Sequence, residues 1–216
     1  YQSKWKESVF EVYKKAEFPK KFHQEVFDYC KKKKIEFFSA PYDKESVDYL
    51  DKLGVKVFKI GSGDLTWIEN IEYIAKKKKP IIIATGASNM TQISNAIKAI
   101  KKTGNDKIIL MQCITNYPAS FKDINLKVLK MFRKKFNCLV GYSDHTPGDI
   151  VATGTVAMGG CMIEKHFTDN KKLKGPDHSF AMDPIDFKKM TDKIKLMEKI
   201  IGKPVKKIYD EERDQY

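Results

Sequence analysis

The feature that most constrains the fold of this chain is a regular alternation of short apolar segments with amphipathic segments. The apolar segments are rich in Ile, Val and Phe and almost continuously apolar, which is typical of strands buried on both faces of a sheet. They recur roughly every 21–31 residues, the spacing of βα units whose strands run parallel. The six predicted strands are residues 35–39, 55–60, 80–84, 107–112, 138–142 and 161–165.

The segments between these strands carry helical signals. Residues 46–53 end at Gly54, the residue type that most often follows a helix. Ile93, Ile97 and Ile100 form an apolar stripe at helical spacing. Further helices are predicted over residues 3–15, 20–33, 125–135, 149–158 and 184–201.

Repeated βα units leave two architectures, a doubly wound open sheet or a (β/α)8 barrel. The chain has no GxGxxG motif after an early strand and no GxxxxGK[ST] motif. Polar residues instead follow nearly every predicted strand, where barrel enzymes keep their sites, and this pattern favours the barrel. These residues are Ser39, Ser62, Gly63, Asp64, Thr85, Gly86, Thr115, Asn116, Tyr117, Ser143, Asp144, His145 and His166.

Six strands are two fewer than a closed barrel of this type needs. We therefore expect an incomplete TIM-type barrel, holding strands 3–8 with their helices, whose first two strands precede Tyr1. Residues 1–202 are predicted to form this barrel domain. After Ile201 the chain becomes charged and loses its periodicity, so residues 203–216 are predicted to begin a linker to a C-terminal domain.

Charge and composition argue against nucleic-acid and membrane partners. The net charge is +13, but the lysine runs mostly end helical stretches, where they complement the helix dipole and stay solvated. They are not interleaved with arginine or aromatic residues, as a nucleic-acid surface would be. No apolar run approaches the roughly 20 residues of a membrane helix. Four cysteines without a CxxC pair indicate reduced thiols in a cytoplasmic protein.

Two of the four histidines fall at the ends of consecutive predicted strands. Strand alternation puts Ser143 and His145 on one side, and likewise Glu164 and His166. Because a single helix separates the strands, they are neighbours, and two imidazoles and a carboxylate converge at the barrel mouth. Such a group suits a divalent ion such as Mn, Fe or Zn. The alternative is two unrelated histidines, each satisfied by local hydrogen bonds.

Lys59 is a charged residue inside an otherwise apolar strand. A buried ammonium is costly unless an anion pairs with it, and the alternative is a lysine whose head reaches solvent at the strand end. Residues 61–64, Gly-Ser-Gly-Asp, follow directly. Such a loop can present N–H groups and a hydroxyl to a phosphate or carboxylate, although Gly-Ser-Gly is also typical of a simple turn.

Seven motifs follow one another along the chain: Phe-Ser-Ala-Pro-Tyr-Asp at 38–43, Lys-Ile-Gly-Ser-Gly-Asp at 59–64, Ala-Thr-Gly at 84–86, Gln-Cys-Ile-Thr-Asn-Tyr-Pro at 112–118, Gly-Tyr-Ser-Asp-His-Thr at 141–146, Ile-Glu-Lys-His-Phe-Thr at 163–168 and Gly-Pro-Asp-His at 175–178. Over about residues 1–202 the chain thereby resembles the N-acetylneuraminate synthase family. That family includes sialic, legionaminic and pseudaminic acid synthases and a spore-coat polysaccharide relative.

The resemblance implies a transferase of sialic acid and carbohydrate biosynthesis. Its expected reaction condenses phosphoenolpyruvate with an N-acetylated amino sugar, N-acetylmannosamine or a relative, to give a nine-carbon 2-keto acid and phosphate. Alternatives are a legionaminic or pseudaminic acid synthase, another metal-dependent barrel that condenses phosphoenolpyruvate, or an inactive fragment of one. A divalent metal is implied, Mn²⁺ before Mg²⁺ or Co²⁺, and the full-length protein is expected to be a homodimer.

The resemblance also implies a role for individual residues. The implied metal ligands are His145 and His166. The implied contacts to phosphoenolpyruvate are Lys59, Ser62 and Ser143, and those to the amino sugar are Thr115, Tyr117 and Asp177. The implied catalytic carboxyl groups, either of which could manage protons, are Asp64 and Glu164.

Some family features do not occur in these residues. Ala40 stands where many members have Thr and Ala84 where many have Ser, so two hydroxyl contacts to the phosphate are expected to be missing. The family's first two strands carry an acidic residue, an Asn–His turn and a Lys–Phe–Gln segment, and its C-terminal antifreeze-like domain brings an arginine into a partner's site. We therefore expect residues 1–216 to be inactive on their own, although the full-length protein is a synthase.

Overall fold

The computed structural model describes residues 8–215, and its strands form one curled parallel sheet. The strands lie side by side in chain order, and each neighbouring pair is parallel. They are β1 (Phe58–Ile60), β2 (Ile81–Ala84), β3 (Ile108–Cys113), β4 (Leu139–Asp144) and β5 (Met162–Lys165). The predicted parallel strands in sequential order are confirmed for the last five of the six.

The first predicted strand, residues 35–39, is wrong: these residues form no strand. Phe37 packs against the core and Glu36 pairs with Lys56 at 2.7 Å, so side chains hold the segment next to the chain that leads into β1. Ile35 is 63% exposed. Apolar composition indicated a strand, but a strand also needs a ladder of backbone hydrogen bonds, and these residues make none with β1.

The described chain has eight α-helices: three precede β1, four connect successive strands and one follows β5. They are α1 (Val9–Ala16), α2 (His23–Lys32), α3 (Lys44–Leu53), α4 (Ile68–Ala75), α5 (Met90–Lys102), α6 (Val128–Phe136), α7 (Ile150–Ala157) and α8 (Pro184–Ile201). Each predicted helix corresponds to one of these within a few residues, but α4 was not predicted. Residues 3–7 of the predicted helix 3–15 lie outside the described chain. Gly54 ends α3 with φ +93°, the left-handed conformation that favours glycine.

The hydrophobic core lies between the sheet and its helices. The predicted stripe of Ile93, Ile97 and Ile100 is buried along α5. Phe58 of β1 and Leu110 of β3 are fully buried in the same cluster. Helices cover one face of the sheet, and the sheet itself is curved. The polar residues that follow each strand therefore lie close together at the carboxyl ends of the strands.

A contact between the first and last strands shows the curl of the sheet. In a flat sheet with strands about 4.8 Å apart, β1 and β5 would lie about 19 Å from each other. Yet Nζ of Lys59 in β1 lies 2.9 Å from Oε2 of Glu164 in β5. Side chains stand roughly perpendicular to a sheet, so only a concave face lets these two meet. The described fold is thus a five-strand half-barrel.

Beyond α8 the chain lies on the surface. Residues 202–213 are all exposed, and a short 3-10 helix spans Asp210–Gln215. The division into a barrel domain and a linker stays a prediction. Within residues 8–215, no helix has both the length and the apolar character that a membrane span requires.

Candidate active site

The carboxyl ends of the five strands surround one open cleft of about 360 Å³, a size typical of small-molecule sites. All predicted site residues except Asp177 line it: Lys59, Ser62, Asp64, Thr115, Tyr117, Ser143, His145, Glu164 and His166. The sequence prediction that these side chains converge is confirmed by this geometry. The chemical roles of these residues stay predictions.

The hydrogen-bond ladder between β4 and β5 positions the four cleft residues that these two strands carry at their ends. Ser143 lies opposite Glu164, and its hydroxyl donates to the carboxylate at 2.7 Å. The next pair in the register is Asp144 and Lys165, on the opposite face of the sheet because side chains alternate. His145 and His166 follow directly and return to the cleft, with ring centroids 5.2 Å apart. Strand alternation therefore explains why both imidazoles return to the cleft side of the sheet.

Lys59 is paired with a protein anion, and its head does not extend to solvent. Its ammonium donates to both oxygens of Glu164, at 3.1 and 2.9 Å, and its side chain is 12% exposed. Burial raises the pKa of Glu164, but the Lys59 charge and the hydrogen bonds from Lys59 and Ser143 outweigh it, so the pKa lies below its ordinary value. Glu164 therefore ionises more readily than an ordinary glutamate.

Asp64 has the opposite electrostatic character. It ends the short 3-10 turn Ser62–Asp64 that follows β1, and it is half-buried in the cleft wall. Burial raises the pKa of this carboxyl group above its ordinary value. Of the two predicted catalytic carboxyl groups, Asp64 is thus the one suited to hold and release a proton.

Both histidines use Nδ1 for a hydrogen bond. Nδ1 of His145 lies 2.7 Å from the carbonyl oxygen of Ile114, and Nδ1 of His166 lies 3.2 Å from Oδ2 of Asp177. In the neutral tautomer that these acceptors favour, Nε2 carries the lone pair, as in histidines that bind metals. Burial is the main reason why the pKa of His145 is lowered, which keeps the ring neutral. Asp177 lies behind His166, outside the cleft lining.

The donor set fits a divalent ion with two protein ligands. Two imidazoles suit a metal of borderline hardness whose other positions are taken by water or substrate oxygens. The carboxylate of Glu164 is already bound by Lys59 and Ser143. In the described part of the chain, no group of three or more His, Cys, Asp or Glu side chains is arranged to hold an ion. Metal binding and the identity of the metal both stay predictions.

An aromatic wall supports the histidines. The Tyr117 ring lies 4.2 Å from that of His145 and 5.6 Å from that of His166, between centroids. Phe180 packs 5.2 Å from His166 and 5.9 Å from Tyr117. Phe180 was not predicted, and the only signal for it was its place two residues after the Gly-Pro-Asp-His motif.

Two further residues in or beside the cleft were not predicted to have a role. Cys113 ends β3 and is buried, with Sγ 4.0 Å from Nδ1 of His145. The N–H of Gly86 donates to Oγ of Ser62 at 3.0 Å. A Cβ at Gly86 would overlap the Thr115 methyl group and lie 2.9 Å from the Ser62 hydroxyl. In the sequence, Cys113 belongs to an apolar run, and Gly86 was noted only as one of the residues that follow a strand, so neither was given a role in the site.

A buried ion pair behind the rim was also not predicted. Nζ of Lys165 lies 3.0 Å from Oδ2 of Asp144, and the two side chains are 2% and 0% exposed. The same ammonium donates to the carbonyl oxygens of Thr146 at 2.6 Å and Gly148 at 3.1 Å. Both charged residues stand inside the motifs of the two histidines, at alternate positions that point away from the cleft.

Comparison with known proteins agrees with this geometry. A model of the NeuB family matches residues 1–206. An uncharacterised protein of Methanocaldococcus jannaschii is 42% identical over 209 residues, 97% of this chain and 62% of the relative. The N,N'-diacetyllegionaminic acid synthase of Campylobacter jejuni is 41% identical over 203 residues, 93% of this chain and 61% of that enzyme.

Among solved structures, the N-acetylneuraminic acid (sialic acid) synthetase of Leptospira borgpetersenii superposes with a TM-score of 0.89 at 30% identity. The likeness covers 95% of this chain and 72% of the synthetase. The chain spans only about three fifths of the length of the two curated relatives (62% and 61%).

Proposed function

Because the chain belongs to the NeuB family, we propose that the intact protein condenses phosphoenolpyruvate with an N-acetylated amino sugar. The products are a nine-carbon 2-keto acid and inorganic phosphate. The complete (β/α)8 barrel belongs to this proposal, supported by the likeness of the half-barrel to a sialic acid synthetase. The observation that carries the proposal is that one cleft joins a lysine, two serine hydroxyls, two imidazoles and a carboxyl group whose pKa is raised by burial.

In the proposed reaction, C3 of phosphoenolpyruvate attacks the aldehyde carbon of the open-chain sugar and forms the new C–C bond. Water then adds at C2, and the C–O bond to phosphate breaks. The water oxygen becomes the keto oxygen after losing two protons. One of them balances the proton taken up by the aldehyde oxygen as it becomes a hydroxyl, and the other leaves on the phosphate. The protein therefore needs an anion site, an electrophile near the aldehyde and a group that moves protons.

The anion site would be formed by Lys59, Ser62 and Ser143. Their ammonium and hydroxyl groups offset the charge of phosphoenolpyruvate in a partly buried cleft. Among the lining residues the structure describes, however, there is one lysine and there are two carboxyl groups. A triply charged substrate therefore needs additional positive charge, which supports a divalent ion at His145 and His166.

The two histidines would hold this ion through Nε2, with Mn²⁺ favoured over Mg²⁺ and Co²⁺. When bound, it would supply Lewis-acid polarisation of the sugar aldehyde. The hydrogen bonds of Nδ1 to Ile114 and Asp177 fix both rings for this role. Asp177 would thus act on His166 in addition to any contact with the sugar.

Asp64 would manage the protons of the new hydroxyl and the attacking water, because burial lets it keep a proton at higher pH than an ordinary carboxyl group. Glu164 would stay ionised and orient Lys59. Thr115 and Tyr117, on the loop after β3, would contact the amino sugar beside the imidazoles.

A 6-deoxy diamino sugar, as used to make legionaminic acid, is the second candidate substrate. It is favoured by the 41% identity with a diacetyllegionaminic acid synthase. The test is to incubate the intact protein with phosphoenolpyruvate, manganese and either N-acetylmannosamine or the di-N-acetylated 6-deoxy sugar. Phosphate release and the mass of the product report the reaction and the preferred sugar. No nine-carbon keto acid from either sugar would overturn the proposal.

A further inference from the structure

We infer that the buried Asp144–Lys165 ion pair positions the two histidines of the proposed metal site, an inference that rests on the proposed function. The pair does not line the cleft, and neither side chain faces it. Its importance comes from its place in the sheet, its complete burial and the number of bonds it makes to the chain around His145.

The two residues form the last pair in the register of β4 and β5, directly before the histidines. Asp144 and Lys165 are directly opposite each other in the register of β4 and β5. His145 and His166 are their immediate successors in the chain. A tie between residues 144 and 165 therefore fixes the distance between the two strand ends from which the imidazoles extend.

The ammonium of Lys165 also holds the loop that contains His145. Besides Asp144, it bonds the carbonyl oxygens of Thr146 and Gly148, so its three donors are satisfied by residues on both sides of His145. The other oxygen of Asp144 accepts from N and Oγ1 of Thr146, at 2.9 and 2.7 Å.

His145 itself is held from the other side by β3 and the segment that follows it. Its ring bonds the carbonyl oxygen of Ile114, and its carbonyl oxygen accepts from the N–H of Ala119 at 3.0 Å. The loop 144–148 thus has a fixed backbone, and among the described residues Lys165 is the one β5 side chain that hydrogen-bonds to it. A buried ion pair generally adds little net stability compared with apolar residues of the same volume. Geometric specificity at the two imidazoles is the role that this placement supports.

The test compares four forms of the intact protein, with Co²⁺ alone as the probe. D144N/K165M removes both charges without leaving one unpaired in the interior, and Asn retains an oxygen for Thr146. H145A removes a proposed ligand. Y142F is the matched control, since Tyr142 is a fully buried β4 residue whose hydroxyl bonds the carbonyl oxygen of Ile124 on the side away from the cleft.

The expected result is a 10- to 100-fold weaker Co²⁺ affinity in D144N/K165M, the range typical of residues that orient metal ligands. The visible spectrum of bound Co²⁺ should change as well, because it reports the geometry of the ligands. Y142F should keep both the affinity and the spectrum, even where its thermal stability falls as far as that of D144N/K165M.

Unchanged Co²⁺ affinity and spectrum in D144N/K165M would overturn the inference. Equal losses in Y142F and D144N/K165M would also overturn it, because they would show a general effect of destabilisation. If the unaltered protein bound Co²⁺ no better than H145A, the proposed metal site itself would fail, which is a separate outcome from failure of the ion-pair role.

Discussion

Asp64 and Glu164 line the same cleft with pKa values shifted in opposite directions. Burial alone raises the pKa of Asp64, whereas Lys59 and Ser143 hold that of Glu164 down despite its burial. Two carboxyl groups whose environments separate their pKa values are the usual sign of divided roles. The sequence left the proton-handling residue open between them, and the structure favours Asp64.

Substitution of Asp64 by Asn should lower kcat about 10²- to 10⁴-fold with little change in KM, because general acid–base catalysis contributes about that much. The limb of the pH–rate profile that reports Asp64 should disappear. In E164Q that limb should remain, while KM for phosphoenolpyruvate rises because Lys59 loses its orienting partner. Retention of the limb in D64N would assign the proton transfer to another group.

D64N should also change stability in a pH-dependent way. Since the folded protein raises the pKa of Asp64, its favourable contribution is fully present below the ordinary Asp pKa and is lost as pH rises through the folded value. The variant should therefore melt at a higher temperature than the unaltered protein at neutral pH, and the gain should shrink in acid. Thermal unfolding at several pH values measures this, and a lower melting temperature for D64N at neutral pH would contradict it.

Substitution of Lys59 by Met should destabilise the protein by about 1–3 kcal/mol, the cost of leaving a buried polar group without its partner. The lowered pKa of Glu164 means that the stabilising effect of the pair is present above the ordinary Glu pKa and is lost as pH falls through the folded value. Denaturant unfolding of K59M, E164Q and K59M/E164Q near neutral pH gives the coupling energy. If the losses in unfolding free energy of the two single variants simply added up in the double variant, the pair would contribute nothing to stability.

Gly86→Ala should impair binding of phosphoenolpyruvate. A Cβ there would displace Thr115 or the Ser62 hydroxyl, which the Gly86 N–H now holds. We expect KM for phosphoenolpyruvate to rise about 10-fold or more, the order of a loss of about 1.4 kcal/mol. Gly63→Ala is the matched control for folding, because a Cβ at Gly63 meets no atom within 4 Å. Unaltered kinetics in G86A would show that the Ser62 hydroxyl position is unimportant.

Much of this site could be predicted from sequence because strand alternation determines the face of the sheet on which each side chain lies. Placing Ser143, His145, Glu164 and His166 on one face needed only the strand positions and the period of two. Residues 35–39 show the limit of that approach, since apolar composition does not reveal whether a backbone ladder forms. The Asp144–Lys165 pair went unnoticed because burial of a charge depends on what packs over the sheet. The Lys59–Glu164 contact depends on curvature, which brings together residues 105 positions apart.

Manganese-dependent phosphate release by the intact protein and its H145A variant tests the central claim most directly. The assay contains phosphoenolpyruvate and the preferred amino sugar, with metal removed by chelation and then restored. We predict release only when both the sugar and the metal are present, and a loss of at least about 100-fold in H145A, since metal polarisation contributes several kcal/mol. Equal phosphate release by H145A and the unaltered protein, or release that does not depend on the sugar, would contradict the account.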